Sequence, residues 1–181
     1  MDNLSEHVVL VNENNEPIGT MPKSKVHSRE TPLHRAFSVF IFHQDRKLLL
    51  QQRSKTKITW PLIWSNSCCG HPRPGESTIE AAKRRVKEEL GIDIEQIEEM
   101  TPYRYKFTFN NIMENEICPI LVGITSKEIK VNSNEINDFI WMDWDKFLAK
   151  ITKYPDKYSP WCAEEALILS KLNKFKILLK N

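Results

Sequence analysis

The sequence predicts an α+β protein in which helices pack on a mixed β-sheet within a single domain, residues 1–181. Short runs rich in β-branched and aromatic residues, separated by polar clusters, predict the strands. Segments whose apolar residues recur every three or four positions predict the helices. With 181 residues, 40% of them hydrophobic, the chain is long enough to bury one core.

The first third of the chain carries strand patterns. Antiparallel strands are predicted at HVVLVN (7–12), RAFSVFIF (35–42) and LLLQQR (48–53). The polar clusters NENNEP (12–17) and HQDRK (43–47) predict turns. Residues 54–65 show no clear period, so we expect an ordered loop there.

A helix is predicted from about Ser77 to Leu90, with Gly91 as its stop signal. Its buried stripe consists of apolar residues three or four positions apart, namely Ile79, Ala82, Val86 and Leu90. The other faces of this helix are charged, as expected of a helix that packs on a sheet and faces water elsewhere.

Further strands and two helices are predicted in the second half of the chain. YRYKFTF (103–109) and ENEICPILVG (114–123) predict strands joined by an Asn-Asn turn. FIWMDW (139–144) predicts a strand that leads into a short helix at about 145–152. Ser159 as N-cap and Pro160 in the first position start a last helix, which continues through AEEALILSKL (163–172) to the C-terminal lysines.

Charge and hydropathy exclude several classes of partner. The chain has 26 basic and 24 acidic residues, so no overall field attracts nucleic acid or a membrane surface. The start, MDNLSEHVVL, lacks the pattern of a signal peptide, and no apolar run approaches the roughly 18 residues of a membrane span. We therefore expect a cytosolic protein with a small-molecule substrate.

The four cysteines, at positions 68, 69, 118 and 162, contain no C-x-x-C pair. We expect free thiols, since the chain shows no secretory signal. Neighbouring residues of a strand point to opposite faces, so a metal site that uses both Cys68 and Cys69 is awkward. One of these two thiols is expected to pack and the other to face a site.

One motif begins at Gly70 and fits G-x5-E-x7-R-E-U-x-E-E-x-G-U, where U is aliphatic. The matching residues are Glu76, Arg84, Val86, Glu88, Glu89, Gly91 and Ile92. At residue frequencies of roughly 6%, six fixed positions match by chance with a probability on the order of 10⁻⁸ per start. The pattern resembles the Nudix box.

Arg85 departs from this box, because it stands where a Nudix hydrolase has the first glutamate of its metal-binding run. Hydrolysis of a diphosphate needs carboxylates that hold the activating metals, so a cation at this position weakens that chemistry. The charges also allow a simpler interpretation, a solvated helix face with the pairs Arg84–Glu88 and Arg85–Glu89.

Five segments together resemble the type 1 isopentenyl-diphosphate Δ-isomerases. They are TPLHRAF (31–37), WPLIWSNSCCGHPRPGE (60–76), YRY (103–105), ENEICP (114–119) and SPW (159–161). The resemblance spans about residues 7–170. It implies a Nudix-like fold, a mixed sheet packed between helices, and the interconversion of isopentenyl and dimethylallyl diphosphate in isoprenoid synthesis.

The resemblance implies a metal site of three histidines and two glutamates. The matching positions are His27, His34, His71, Glu114 and Glu116. Glu114 and Glu116 are two apart on a predicted strand, so both carboxylates project from one face. A mixed set of imidazoles and carboxylates suits Mn²⁺ or Mg²⁺, and Zn²⁺ as well. Taken alone, each histidine is more typical of an ordinary core or surface residue than of a metal ligand, because sequence cannot show that the three converge.

The catalytic residues implied by the resemblance are Cys69, Glu116, Tyr105 and Trp161. Glu116, with Tyr105 hydrogen-bonded beside it, is expected to deliver a proton to C4, and Cys69 to take one from C2. An indole attracts a cation, so Trp161 would stabilise the carbocation between these steps. Without the resemblance, both Cys69 and Trp161 would be interpreted as packed core residues.

Lys23, Arg53, Lys57 and Arg85 match basic positions at which the family holds the diphosphate. A Mg²⁺ ion is expected to bridge the diphosphate to Glu89 and to the main-chain carbonyl of Cys69. Two other functions remain open, namely a Nudix pyrophosphohydrolase and a metal-binding module without activity. We expect no binding to nucleic acid or membranes. The sequence indicates no protein partner and leaves the oligomeric state open, with a monomer favoured.

Overall fold

The structure is a computed structural model that describes residues 7–179 of the 181. The two ends of the predicted domain, residues 1–6 and 180–181, lie outside the described residues. Within residues 7–179, no helix is both long and apolar enough to cross a membrane.

The strands are β1 His7–Val11, β2 Pro17–Pro22, β3 His34–Arg35, β4 Phe37–His43, β5 Lys47–Arg53, β6 Trp64–Ser65, β7 Cys68–Gly70, β8 Ile97–Thr101, β9 Arg104–Phe109, β10 Ile112–Ile117, β11 Ile120–Thr125 and β12 Ile136–Asp143. The helices are α1 Lys23–Val26, α2 Thr78–Leu90, α3 Trp144–Lys153, α4 Pro160–Lys171 and α5 Asn173–Leu178. The predicted α+β class is confirmed.

The strands form two sheets rather than one. The first sheet has the order β2-β1-β3-β10-β9, and the second has the order β12-β5-β4-β11-β8 with β6 beside β5 and β7 beside β4. In the second sheet β4 is parallel to β11 and antiparallel to β5, so the sheet is mixed. The expectation that the first three predicted strands are antiparallel holds for β4 and β5, whereas β1 lies in the other sheet.

Strand β4 explains why the second sheet packs between helices. Phe37, Val39 and Ile41 contribute to the core beneath α2. Phe40 and Phe42 contribute to the core that includes residues of α3, α4 and α5. Side chains of a strand alternate between its faces, so a continuous apolar run such as this one is buried on both sides.

The prediction of one strand over 114–123 is wrong. Strand β10 ends at Ile117, and β11 begins at Ile120 in the other sheet. Pro119 lies between them and has no N–H to donate to a ladder, which is why a continuous strand breaks there. The last predicted helix also divides, since α4 ends at Lys171 and α5 begins at Asn173.

Helix α2 and the hairpin of β9 and β10 follow their local signals. A capping box closes the start of α2, where the Ser77 hydroxyl accepts from the Glu80 N–H and the Glu80 carboxylate accepts from the Ser77 N–H. Gly91 ends the helix with φ 69°, and a Cβ there would lie 2.7 Å from the Lys130 carbonyl oxygen. Asn110 and Asn111 both have positive φ, as a type I′ hairpin turn requires.

Candidate active site

A cavity of about 350 Å³ opens between the two sheets and α2. Most of the site residues predicted from sequence line it, namely Lys23, His27, Arg53, Lys57, Cys69, His71, Arg85, Tyr105, Glu114, Glu116 and Trp161. His34 and Glu89 are buried and are not part of this lining. The fold therefore brings together residues from segments far apart in the sequence.

Strand register places three of these residues side by side. Glu116 in β10 pairs with His34 in β3 on one side and with Tyr105 in β9 on the other. Residues opposite each other on neighbouring strands share a face, so their side chains meet. The Tyr105 hydroxyl donates to Glu116 Oε2 at 2.6 Å and lies 3.3 Å from Glu114 Oε2.

We call His27, His34, His71 and Glu116 the histidine–glutamate group. The three imidazole Nε2 atoms lie 3.6, 3.2 and 2.9 Å from Glu116 Oε1, in that order. One ligand atom from each residue lies within 4.8 Å of the others. Burial would raise the pKa of Glu116, but the three histidines outweigh it and hold that pKa well below its usual range.

The histidine–glutamate group fits a divalent metal ion. Within the described residues, the buried His34 Nε2 lies 3.2 Å from Glu116 Oε1 without a hydrogen bond to it or to any other group, and a cation at the point of convergence would satisfy it. Burial lowers the pKa of His71 to about 3, so its imidazole is neutral, which is the form that binds metals. Imidazoles with a carboxylate suit several divalent transition metals.

Glu114 lies beside this group but is not one of its four members. Its carboxylate accepts hydrogen bonds from Thr59 and Tyr105. Burial raises the pKa of Glu114, and the neighbouring charge of Glu116 adds to the effect. The role of Glu114 as a metal ligand stays a prediction.

The two neighbouring thiols have different surroundings. Cys68 is fully buried in the core beneath α2, whereas Cys69 lines the cavity. The Cys69 sulfur lies 3.5 Å from Ser38 Oγ and accepts from Asn66 Nδ2 at 3.1 Å. Burial raises the pKa of Cys69 to about 12, and the charge of Glu165 adds to this, against the hydrogen bonds from Ser38 and Asn66. All four cysteines are free, as predicted.

Trp161 lies between the thiol and the tyrosine. Its indole Nε1 donates to Asn66 Oδ1 at 3.2 Å, and the same amide contacts Cys69. Its ring stacks on Tyr105 with 5.8 Å between centroids and 14° between planes. Asn66 was missed as a site residue by the sequence reasoning, although it lies within the segment WSNSCCGH that carried the resemblance.

We call Lys23, Arg53, Lys57 and Arg85 the cationic rim. The Arg85 guanidinium is bound to Glu89 and lies 3.0 Å from Glu135 Oε1, and Glu135 also binds Lys57. Burial lowers the pKa of Lys23, and the nearby positive charges of Arg85 and Lys57 lower it further.

The rim keeps some capacity to bind an anion. Within the described residues, the buried Nε of Arg85 has no hydrogen-bond partner. Gly70 lets this side chain approach β7, because a Cβ there would lie 2.9 Å from Arg85 Cγ. Arg53 is held differently, since it donates to the carbonyls of Thr59 and Trp60 and lies 5.3 Å from the centroid of the Trp161 ring.

Comparison with known proteins identifies the family. The NUDIX domain family model matches residues 32–162. A protein of Saccharopolyspora erythraea named isopentenyl-diphosphate Delta-isomerase is 41% identical over 169 residues, which cover 92% of this chain and 87% of the relative. A protein of Rhizobium rhizogenes with the same name is 44% identical over 171 residues, covering 92% and 81%. The chain belongs to the isopentenyl-diphosphate Delta-isomerase family.

The chain also belongs to the NUDIX family, and solved structures confirm its fold. A Deinococcus radiodurans protein, 21% identical, superposes with a TM-score of 0.71 over 89% of this chain and 97% of that one. A MutT protein of Methanosarcina mazei Go1, also 21% identical, has a TM-score of 0.62 over 78% and 98%. At 21% identity, the similarity to these two structures shows a shared fold and nothing about function.

In this member of the isomerase family, the Nudix box supports the site. Arg84 binds Glu76 through two hydrogen bonds of 2.7 and 2.8 Å, and it also donates to the main-chain carbonyl of His71 at 3.3 Å. Glu76 accepts from the Arg73 N–H at 2.9 Å. These bonds fix the segment after β7 that carries His71. The predicted pair of Arg84 with Glu88 is present at 3.5 Å.

Proposed function

We propose that the protein interconverts isopentenyl diphosphate and dimethylallyl diphosphate, the reaction for which its relatives are named, and so serves isoprenoid synthesis. One observation carries the proposal: Cys69 and the pair of Glu116 and Tyr105 line one cavity. Trp161 lines it as well, stacked on Tyr105 and hydrogen-bonded to the Asn66 amide that contacts Cys69. Isomerisation of an alkene by proton addition and removal needs two acid–base groups around one substrate.

The two parts of the cavity match the two parts of the substrate. The diphosphate would bind at the cationic rim, where Arg85 and Lys57 offer charge-assisted hydrogen bonds. The five-carbon chain would lie toward the aromatic residues Tyr105 and Trp161. Enclosure by these rings excludes water, which would otherwise trap a carbocation as an alcohol.

In the forward direction a proton is added at one carbon and removed at another. Glu116 and Tyr105 deliver to C4 the proton of the hydrogen bond between them, so the terminal CH₂ becomes a methyl group and C3 carries the positive charge. The face of Trp161 stabilises this charge, by roughly 2 kcal/mol when desolvated. Burial makes the thiolate the minor form of Cys69, and the Asn66 amide N–H stabilises it. This thiolate removes a proton from C2, and the electron pair of the broken C–H bond forms the new double bond.

Two metal sites belong to this proposal. The histidine–glutamate group, together with Glu114, would hold Mn²⁺, Mg²⁺ or Zn²⁺. When bound, a divalent ion there would neutralise the charge of Glu116 and ease release of the proton it shares with Tyr105. Glu89 and the main-chain carbonyl of Cys69 would hold the Mg²⁺ that accompanies the diphosphate.

The test is proton NMR of the protein with Mg²⁺, Mn²⁺ and isopentenyl diphosphate in D₂O. Dimethylallyl diphosphate should appear with deuterium in its methyl group, because the C4 proton comes from exchangeable groups. Cys69→Ala should abolish this product and Cys68→Ala, the matched control at the neighbouring buried thiol, should retain it. Unchanged alkene in the wild type would overturn the proposal.

A further inference from the structure

Thr59 carries a buried hydroxyl at the wall of the cavity that the mechanism above does not use. It lies in the loop between β5 and β6, and it is 4% exposed. It lines the same cavity as Glu114 and Glu116. Its hydroxyl donates to Glu114 Oε1 at 2.5 Å. Thr59 therefore contacts the end of the cavity at which the proton is delivered.

Arg53 holds the loop that carries Thr59. Its Nη2 donates to the Thr59 carbonyl at 2.8 Å, and its Nε donates to the Trp60 carbonyl at 3.1 Å. Trp60 has a φ of 43°, in the left-handed region that bulky residues rarely adopt. Such a conformation persists only where surrounding contacts hold it, and the two bonds from Arg53 are contacts of this kind. The backbone of this loop therefore fixes the side chain of Thr59 beside Glu114.

The direction of the hydrogen bonds around Thr59 follows from which groups can accept. Arg53 Nη2 donates to Thr59 Oγ1 at 3.3 Å, and a guanidinium has no acceptor atom. Within the described residues, Thr59 Oγ1 has hydrogen bonds to Arg53 and Glu114 only. The single hydroxyl proton of Thr59 is therefore directed to Glu114.

The Tyr105 hydroxyl also has a single proton, and two carboxylates lie within its reach. It donates to Glu116 Oε2 at 2.6 Å and lies 3.3 Å from Glu114 Oε2. One proton cannot form a short bond to both acceptors. Because Thr59 already donates to Glu114, the Tyr105 proton is left for Glu116, to which the contact is shorter.

We infer that Thr59 is a positioning residue that satisfies Glu114 and thereby reserves the Tyr105 proton for Glu116. Among the described side chains, Tyr105 would be the remaining donor to Glu114 if the Thr59 hydroxyl were lost. A buried acceptor that loses its donor is costly, so Glu114 would then compete with Glu116 for the Tyr105 proton. This inference rests on the proposed function, in which Glu116 and Tyr105 deliver a proton to C4.

Substitutions of two threonines in one loop test the inference. Thr59→Val removes the hydroxyl at nearly constant volume, Thr59→Ala removes it without a second methyl group against the carboxylate, and Thr59→Ser keeps it. Thr56→Val is the matched control, because Thr56 is exposed in the same loop and its hydroxyl contacts Ser54 and Asn134. Initial rates of isomerisation are measured at saturating Mg²⁺ and Mn²⁺, so that a change in metal affinity does not alter kcat.

The loss is expected in kcat rather than in KM. Thr59→Val and Thr59→Ala should lower kcat by roughly 10–100-fold, the size expected for one lost hydrogen bond to a charged group. KM should change little, because Arg53 keeps its bonds to the two loop carbonyls. Thr59→Ser should retain most of the wild-type kcat, and Thr56→Val should change neither constant.

A double-mutant cycle separates this role from a general effect on the loop. In Tyr105→Phe there is no phenolic proton for the two carboxylates to share. Addition of Thr59→Val to this variant should therefore lower kcat by no more than about twofold further, whereas a merely structural effect would lower it by the same factor in both backgrounds. Equal factors would overturn the inference. So would a wild-type kcat in Thr59→Val and Thr59→Ala, or a loss in Thr59→Ser as large as theirs.

A spectroscopic measurement distinguishes failure of the inference from failure of the proposed function. Tyrosine labelled with ¹³C at Cζ gives one resonance for each of the four tyrosines, and Tyr105→Phe assigns that of Tyr105. In the substrate-free protein with Mg²⁺, this resonance should shift in Thr59→Val and stay in place in Thr59→Ser and Thr56→Val. An unshifted resonance in Thr59→Val would refute the inference. If the wild type fails to isomerise while the resonance shifts as expected, the proposed function is wrong and the role of Thr59 beside Tyr105 stands.

Discussion

The two ends of the cavity are built by different means. At one end, Glu116 is held between His34 and Tyr105 by the register of three neighbouring strands. Both Glu116 and His34 are almost wholly buried. Backbone hydrogen-bond ladders therefore decide where these side chains start. Because the paired residues already face one another, the side chains meet without long, flexible segments.

The cationic rim is built from long side chains that reach in from separate segments. Lys23 opens α1, Lys57 lies in the loop after β5, and Arg85 extends from α2. The positions of Lys57 and Arg85 are set by a carboxylate, because Glu135 binds both. A lysine or arginine side chain has about 2 kcal/mol of rotamer entropy, so such partners are needed to order it.

The difference matches what each end has to do. Proton transfer requires donor and acceptor atoms within about 3 Å of the reacting carbon, which favours placement by rigid strands. Binding of a diphosphate requires charge and tolerates movement of flexible side chains. Substitutions at the first end should therefore lower turnover, and substitutions at the second should mainly alter substrate affinity.

The largest effect is expected for Glu116→Gln. Loss of a positioned acid–base group lowers turnover by roughly 10²–10⁴-fold. The metal content, measured by plasma mass spectrometry, should fall as well, because Glu116 Oε1 is the point on which the three imidazoles converge. Both quantities are measured beside the wild type at equal concentrations of folded protein.

Glu114→Gln is the matched control for this substitution. Glu114 lies two residues away on the same strand and also contacts Tyr105, but it is not in the histidine–glutamate group. A smaller loss of metal is expected than in Glu116→Gln. Equal losses in the two variants would show that both carboxylates act as ligands and would extend the group to the five residues predicted from sequence.

Those parts of the fold that have local signals could be predicted. The start of α2 near Ser77, its stop at Gly91 and the Asn-Asn turn were each predicted from residues within or next to the structure they specify. The break between β10 and β11 also had a local signal, Pro119, which the prediction of one strand over 114–123 did not use. The separation of β1 from β4 could not be predicted in this way, because pairing between distant segments decides which sheet a strand joins.

The candidate site shows the same limit. Resemblance to a family brought His27, His34 and His71 together, whereas no pattern within the sequence does so. Glu135 carried no signal, since it contacts Lys57 across 78 residues of chain. Glu165 lies in an ordinary helical pattern, and only its complete burial distinguishes it.

A smaller effect, on affinity, is expected for Arg85→Gln. Removal of one charged hydrogen-bond donor costs about 1.5–3 kcal/mol, which corresponds to a rise of roughly 10–100-fold in KM for the diphosphate. kcat should change less, because Arg85 is proposed to bind the diphosphate and to take no part in proton transfer. Lys87→Gln, an exposed position of the same helix, is the control and should leave KM unchanged. A fall in kcat at constant KM would contradict the division between the two ends.

The smallest effect on catalysis is expected for Glu135→Gln. Glu135 is an anion bound by Lys57 and Arg85, the same cations that would bind the diphosphate. Its removal should lower KM by roughly 2–5-fold, because the substrate no longer competes with a carboxylate for these charges. Initial rates across substrate concentrations give this value, with Glu128→Gln as an exposed control. A rise in KM would mean that ordering the two cations matters more than this competition.

Acid unfolding separates these two contributions of Glu135. Burial would raise its pKa, but Lys57 and Arg85 outweigh this and lower it from 4.5 to about 2. A carboxyl whose pKa is lower in the folded state stabilises the fold above its unfolded pKa, and this contribution is lost as the pH falls toward 2. Between pH 4.5 and 2, the melting temperature of the wild type should therefore decrease more than that of Glu135→Gln, measured by circular dichroism. If the melting temperatures of the wild type and of Glu135→Gln fall in parallel with pH, Glu135 does not form stabilising ion pairs with Lys57 and Arg85. A lower KM in the variant could then not be explained by loss of those ion pairs.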